Sequence, residues 1–187
     1  MSKTKPGVFF LVVGPSGVGK DSLIDGAKEH LPPKQFVFAK RTVTRPPGMI
    51  GEDYQSCDSV EFAKRKLNGE FLVTWQAHDY EYGLPRDLAT KQAQGMHIVA
   101  NGSRSAVQEI SQTVDNLVVI DITAPPEVLA KRLASRGRET EAQIAARLNR
   151  QTSKFPAHID VHQVNNDTSL EEGIKRFIDT IKQFVAR

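Results

Sequence analysis

Apolar residues fall in short unbroken runs along the chain, and most of these runs are separated by segments whose apolar positions recur at helical spacing. The longest run, Val8 to Val13, mixes aromatic and β-branched side chains and ends at Gly14. An apolar run without alternation predicts a strand buried on both faces, as in a parallel sheet. Similar runs at Phe36 to Phe38, Ile98 to Ala100, Leu117 to Ile122 and Val161 to Val164 predict further strands. Helices are predicted over Lys20 to His30, Ser59 to Asn68, Ser103 to Thr113, Pro126 to Arg136, Glu141 to Thr152 and Leu170 to Phe184. The alternation of strand and helix predicts an α/β fold with a mostly parallel sheet. Between about Arg41 and Gln94 the pattern breaks at Pro46-Pro47-Gly48, Gly51, Gly69, Gly83 and Pro85, with an apolar segment at Phe71 to Trp75. This stretch is expected to form an inserted substrate-binding lobe. A second interruption, Lys131 to Arg150, carries Arg132, Arg136, Arg138, Arg147 and Arg150 and is expected to form a mobile lid. Met1 to Pro6 reads as a loose terminus.

Length and composition narrow the class. A chain of 187 residues suits one compact domain, and 39% hydrophobic with 25% charged residues suits a soluble globule with a real core. The Val8 to Val13 run is far shorter than the roughly 20 residues of a membrane-spanning helix, and no cleavable signal pattern precedes it. Cys57 is the single cysteine, which excludes an internal disulfide and a multi-cysteine metal cage. A cytoplasmic protein without membrane contact is therefore expected. A net charge of +3 is too mild to indicate nucleic acid by itself. Nothing in the sequence fixes an oligomeric state.

Chemistry enters directly after the first strand. Gly14-Pro15-Ser16-Gly17-Val18-Gly19-Lys20-Asp21-Ser22 matches G-x-x-x-x-G-K, with a strand before it and a helix after it. In such a loop glycines turn backbone N–H groups toward phosphate oxygens, the helix adds its positive end, and Lys20 adds a full charge. Gly14 to Ser22 are therefore candidate ATP-binding residues, and Lys20 is a candidate catalytic residue. The position after the lysine, where a Ser or Thr ordinarily ligates Mg²⁺, holds Asp21. Either Asp21 or Ser22 is the candidate metal ligand; Asp21 also reads as a helix-start residue favoured by the dipole. Phosphoryl transfer depends on positioning and charge neutralisation, so arginines outside the loop matter. Arg136-Gly137-Arg138 follows a predicted helix and Arg147 lies on the next.

Together with that loop, T-V-T-R-P-P around Arg45, G-E-D-Y ending at Tyr54, E-F at Glu61-Phe62, G-E-F at Gly69 to Phe71, Y-G at Tyr82-Gly83, R-L-x-x-R-G from Arg132 and V-N-N-D from Val164 resemble the guanylate kinase family from about Val8 onward. The resemblance implies a three-layer P-loop NTPase in a single domain. Its core would cover about 7–40, 95–133 and 153–187, its acceptor lobe about 41–94 and its helical lid about 134–152. It also implies that Arg45, Tyr54 and Tyr82 hold the acceptor phosphate. Arg136, Arg138 and Arg147 would face ATP, with Arg136 and Arg147 as candidate catalytic residues, and Asn166 would lie against adenine.

The departures from that family are informative. Positions where it reads guanine with carboxylates align with Val73 and Ser103, and a neutral position aligns with Arg41. A guanine edge would be left without partners, which disfavours GMP as acceptor. The segments G-P-S-G-V-G-K-D-S-L, W-Q-A-H-D-Y-E-Y-G-L-P and N-G-S-R resemble instead the ribose 1,5-bisphosphate phosphokinases of phosphonate degradation. That resemblance implies ATP and Mg²⁺ as cofactors and a small-molecule sugar bisphosphate as acceptor, with no nucleic-acid partner. Arg41 would then meet a second acceptor phosphate. His78 would bond a sugar hydroxyl or that phosphate, unless it is merely packed or solvated. Asn101 and Arg104, at a strand's carboxyl end, would reach the ribose or its 5-phosphate, or else belong to a helix start with Ser103 as its cap. An ordinary nucleoside monophosphate kinase would need base-reading groups, and a catalytically silent binding module would be expected to have lost the phosphate loop.

Overall fold

The computed structural model describes residues 5–46, 53–77, 79–135 and 155–185. In chain order its elements are β1 (Phe9–Val13), α1 (Lys20–His30), β2 (Phe36–Ala39), β3 (Arg41–Val43), β4 (Tyr54–Ser56), α2 (Ser59–Leu67), β5 (Phe71–Ala77), β6 (Tyr80–Pro85) and α3 (Asp87–Ala93). They continue with β7 (His97–Asn101), a 3-10 turn (Arg104–Ala106), α4 (Val107–Thr113), β8 (Leu117–Thr123), α5 (Pro126–Ser135), β9 (Val161–Asn165) and α6 (Leu170–Val185).

Every residue of β1 is buried, and its side chains alternate between two apolar clusters. Phe10 and Val12 join Leu23 and Ala27 of α1 and Phe177 and Ile181 of α6 on one face. Phe9, Leu11 and Val13 join Val107 and Ile110 of α4 and Trp75, Tyr82 and Leu84 of the β5–β6 pair on the other. Full burial of such side chains stabilises the fold by about 1.5–3 kcal/mol each. The strand thus anchors three layers: helices, parallel sheet, and a second sheet with its helices.

The five-stranded sheet has the order β2-β7-β1-β8-β9, and every adjacent pair is parallel. Its register sets Asn101 of β7 and Ile120 of β8 beside Val12, and Asp121 of β8 beside Val13. Polar residues at the carboxyl ends of two strands therefore flank the loop that leaves the third, where open α/β sheets take ligands. The other sheet has the order β4-β3-β6-β5. In it β3 runs parallel to β4 and antiparallel to β6, and β5 runs antiparallel to β6.

The sequence pattern missed β3, β4, β6 and α3. Strands β3 and β4 have three residues each, too few to show a period. In β6, Gly83 and Pro85 read as breaks, yet Gly83 pairs with Thr74 and faces the Phe71 ring. A Cβ there would lie 2.6 Å from a Phe71 ring carbon, so the glycine serves close cross-strand packing. The helix expected from Ser103 opens instead as the 3-10 turn, with the Ser103 hydroxyl accepting from the Ser105 N–H at 3.3 Å. The helix expected at Glu141 to Thr152 lies outside the described residues. Among the described residues no helix is long and apolar enough to cross a membrane.

Candidate active site

The loop from Gly14 to Gly19 joins β1 to α1 with positive φ at Gly14 (144°), Gly17 (82°) and Gly19 (96°). At Gly19 a Cβ would also come within 2.7 Å of the Asn166 amide nitrogen, so both conformation and space require glycine there. The loop is clamped from behind through one carbonyl. Asn166, just beyond β9, donates from Nδ2 to the Val18 carbonyl at 2.7 Å. Arg132 of α5 donates from Nη1 to the same carbonyl at 3.2 Å and to the Asn166 carbonyl at 2.9 Å. These bonds hold the loop at Val18, whose own N–H donates to the Pro15 carbonyl at 3.3 Å. Lys20 lies along the loop, its ammonium donating to the carbonyls of Gly14 (2.8 Å) and Pro15 (3.1 Å).

Asp21, in the first turn of α1, connects the loop to both sheets. Its Oδ1 accepts from Asn101 Nδ2 at 2.7 Å and lies 3.9 Å from Arg41 Nη2. Arg41 in turn lies over the Tyr82 ring, 5.5 Å from its centroid. Ser22, one residue on, is exposed. Successive helix positions point about 100° apart, so Asp21 is the residue turned toward Asn101 and the strand ends. Among the described residues no group of three His, Cys, Asp or Glu side chains could hold a metal by itself. A carboxylate beside a phosphate loop fits magnesium, which takes one or two protein carboxylates and completes its shell with waters and substrate phosphates.

On the other side of the loop, Arg104 and Asp121 form a fork. Arg104 donates from Nη2 to both carboxylate oxygens at 2.8 Å and from Nε to Oδ1 at 3.2 Å. Asp121 is 1% exposed. Burial pushes its carboxyl above the ordinary range, while the bonds and charge of Arg104 and the charge of Lys20 pull it back. The guanidinium lies 5.4 Å from the Phe155 ring centroid. Asp121 was not singled out from the sequence, although one charged residue inside Val-Val-Ile-Asp-Ile was a usable signal.

The second sheet contributes arginines backed by aromatic rings. Arg45 lies 4.5 Å from the Tyr54 centroid and 5.9 Å from that of Tyr80. The Tyr54 hydroxyl donates to the Pro46 carbonyl at 2.7 Å, which ties β4 to the segment carrying Arg45. Tyr82 is 6% exposed and stacks on Trp75, with centroids 5.4 Å apart and planes 8° from parallel. Trp75 is thus a core residue that supports Tyr82. Val73 lies in the same apolar cluster, 5% exposed.

The structure therefore joins Asn101, Asp21, Arg41 and Tyr82 in one chain of contacts, with Lys20 on the loop carbonyls and Arg104 paired to Asp121. Asn166 is 3% exposed, with its amide bonded to the loop carbonyl, so its contact in this structure is with the loop. His78, Arg136, Arg138 and Arg147 lie outside the described residues.

The family model for guanylate kinase matches residues 7–184. The chain is 48% identical over 176 residues to a bifunctional ribose 1,5-bisphosphokinase-thymidine phosphorylase of Cupriavidus pinatubonensis, covering 94% of this chain and 29% of that protein. It thus spans under a third of the length of such bifunctional relatives. It is 40% identical over 181 residues to the ribose 1,5-bisphosphate phosphokinase PhnN of Rhizobium etli, covering 96% of this chain and 92% of that one. Among solved structures, a guanylate kinase from Anaplasma phagocytophilum superimposes with a TM-score of 0.71 at 19% identity, covering 98% of this chain and 89% of that one.

Proposed function

Because the chain belongs to the guanylate kinase family, we propose that it transfers the γ-phosphate of ATP to the 1-phosphate of ribose 1,5-bisphosphate, giving 5-phospho-α-D-ribose 1-diphosphate and ADP. The relatives named for ribose 1,5-bisphosphate phosphorylation support this reading across nearly the whole chain. It sets the protein in phosphonate degradation and in synthesis of the sugar diphosphate.

The observation that carries the choice of acceptor is the state of Val73 and Ser103. Val73 is packed in the apolar cluster behind Tyr82, and the Ser103 hydroxyl is engaged with the Ser105 N–H and hydroxyl. Neither offers the carboxylate that a guanine edge requires. The same region instead holds Arg41 and Arg45 against aromatic faces, which suits an acceptor with phosphates and no base.

The reaction forms a bond between an oxygen of the acceptor's 1-phosphate and the γ-phosphorus, and breaks the bond from that phosphorus to the ADP oxygen. A phosphate monoester has its second pKa near about 6 and is already mostly dianionic at neutral pH, so no general base is needed. Charge repulsion is the main barrier. The Lys20 ammonium exchanges its bonds to the Gly14 and Pro15 carbonyls for bonds to the β- and γ-phosphates as ATP binds. Asp21 would hold a magnesium ion, which would neutralise charge on the triphosphate. Arg45, Tyr54 and Tyr82 hold the acceptor's 1-phosphate, Arg41 and Arg104 meet its 5-phosphate, and His78 meets the sugar. Arg136, Arg138 and Arg147 add charge around the triphosphate. Incubation with ATP, Mg²⁺ and a panel of phosphorylated acceptors, with products identified by phosphorus NMR, tests the assignment. A diphosphate signal on ribose 1,5-bisphosphate supports it; phosphorylation of nucleoside monophosphates alone removes it.

A further inference from the structure

Trp75 and Tyr82 are direct cross-strand partners on β5 and β6, and their rings stack with centroids 5.4 Å apart and planes 8° from parallel. Strand β3 pairs with the other edge of β6, and from it Arg41 brings its guanidinium within 5.5 Å of the Tyr82 centroid. The two neighbours thus reach the phenol from opposite sides of its strand. With Tyr82 and Trp75 each 6% exposed, neither ring has a face left on which a flat ligand could stack.

The indole also stands where a base would have to go. Trp75 lies two positions after Val73 on the same strand, so both side chains are on one face of the sheet. Both belong to one apolar cluster with Ala106 and Val107, which lie in the turn and helix that Ser103 opens. Val73 and Ser103 are the positions that align with the base-reading carboxylates. Indole and purine are fused bicyclic rings of nearly the same outline, and both stack on a phenol. Resting on the acceptor assignment above, we propose that Trp75 is a specificity-determining residue. Its indole fills the place of a nucleobase against Tyr82 and so excludes nucleotides, while the arginines of the same sheet still serve the acceptor's phosphates. The chain thereby selects a base-free sugar by occupying space as well as by lacking carboxylates.

The test measures competitive inhibition of ribose 1,5-bisphosphate phosphorylation by purine riboside 5′-monophosphate, in the parent and in Trp75→Ala, at saturating ATP. That base has no exocyclic donors or acceptors, so it reports on space rather than on hydrogen bonding. Trp75→Ala is expected to bind the nucleotide at least about tenfold more tightly than the parent does, since the base gains apolar burial and a stacking partner. Added indole should relieve that inhibition, because a cavity left by a large apolar side chain takes a small aromatic molecule of matching shape. Inhibition constants do not depend on the folded fraction. Should the alanine prevent folding, Trp75→Leu removes the flat ring with less loss of volume and carries the same readout. An inhibition constant no lower than the parent's overturns the inference while leaving the acceptor assignment intact. So does tighter inhibition that indole leaves unchanged, since the base would then bind outside the vacated space. No turnover of the bisphosphate by the parent overturns the acceptor assignment itself.

Discussion

Lys20 opens α1, half-buried, with its ammonium on two loop carbonyls and outside both apolar clusters, so its removal should leave the core untouched. Lys20→Ala is expected to lower kcat by about 100- to 1000-fold, the scale for removing one electrostatic donor from a transition state. Its melting temperature should stay close to that of the parent; steady-state kinetics and thermal denaturation check both. Asp121 presents the opposite balance. Asp121→Asn keeps the shape but sets an amide N–H₂ against the Arg104 guanidinium, both donors. A stability loss of about 1–3 kcal/mol is expected. If Arg104 holds the acceptor, KM for the bisphosphate should rise about tenfold or more with a smaller change in kcat. An unchanged KM would leave the pair with a structural role only. The loop and Lys20 were legible in the sequence because the motif carries its own geometry. Asp121 was not, because its meaning depends on Arg104, 17 positions away, meeting it across the strand ends.

At the scale of elements, the buried strands β1, β7 and β8 declared themselves through apolar runs, and α1 through its period and its place after the loop. The second sheet was hidden because β3 and β4 are short and β6 includes Gly83 and Pro85. Strand β7 offers a pH test. His97 Nδ1 accepts from the Val8 N–H at 3.0 Å, with the ring packed near Phe36 at 5.1 Å, and burial holds its pKa below the ordinary 6.5. Below about pH 6.5 the unfolded chain takes up a proton that the folded ring resists, so stability falls with pH until the folded pKa is passed. Asn at position 97 keeps an acceptor for Val8 and does not titrate. The parent should therefore lose more melting temperature between pH 7 and 5 than His97→Asn. Parallel losses in the two proteins would show that β7 anchoring does not depend on the imidazole.

Across the whole molecule, a parallel sheet presents the phosphate loop, and a second sheet presents arginines on aromatic faces toward the same strand ends. Which acceptor fits is decided by what that second sheet lacks as much as by what it holds, since Val73 is core. A glutamate there would enter the apolar cluster with Trp75 and Tyr82 rather than restore a base-reading site. The most direct measurement is the ratio of kcat/KM for ribose 1,5-bisphosphate to that for GMP, taken on the parent and on Val73→Glu. The assignment predicts a ratio of at least about 100 for the parent, the scale for leaving polar pairs unmade, and no gain of GMP activity in the variant. Comparable values for the two acceptors in the parent would contradict it and make the protein a nucleotide kinase.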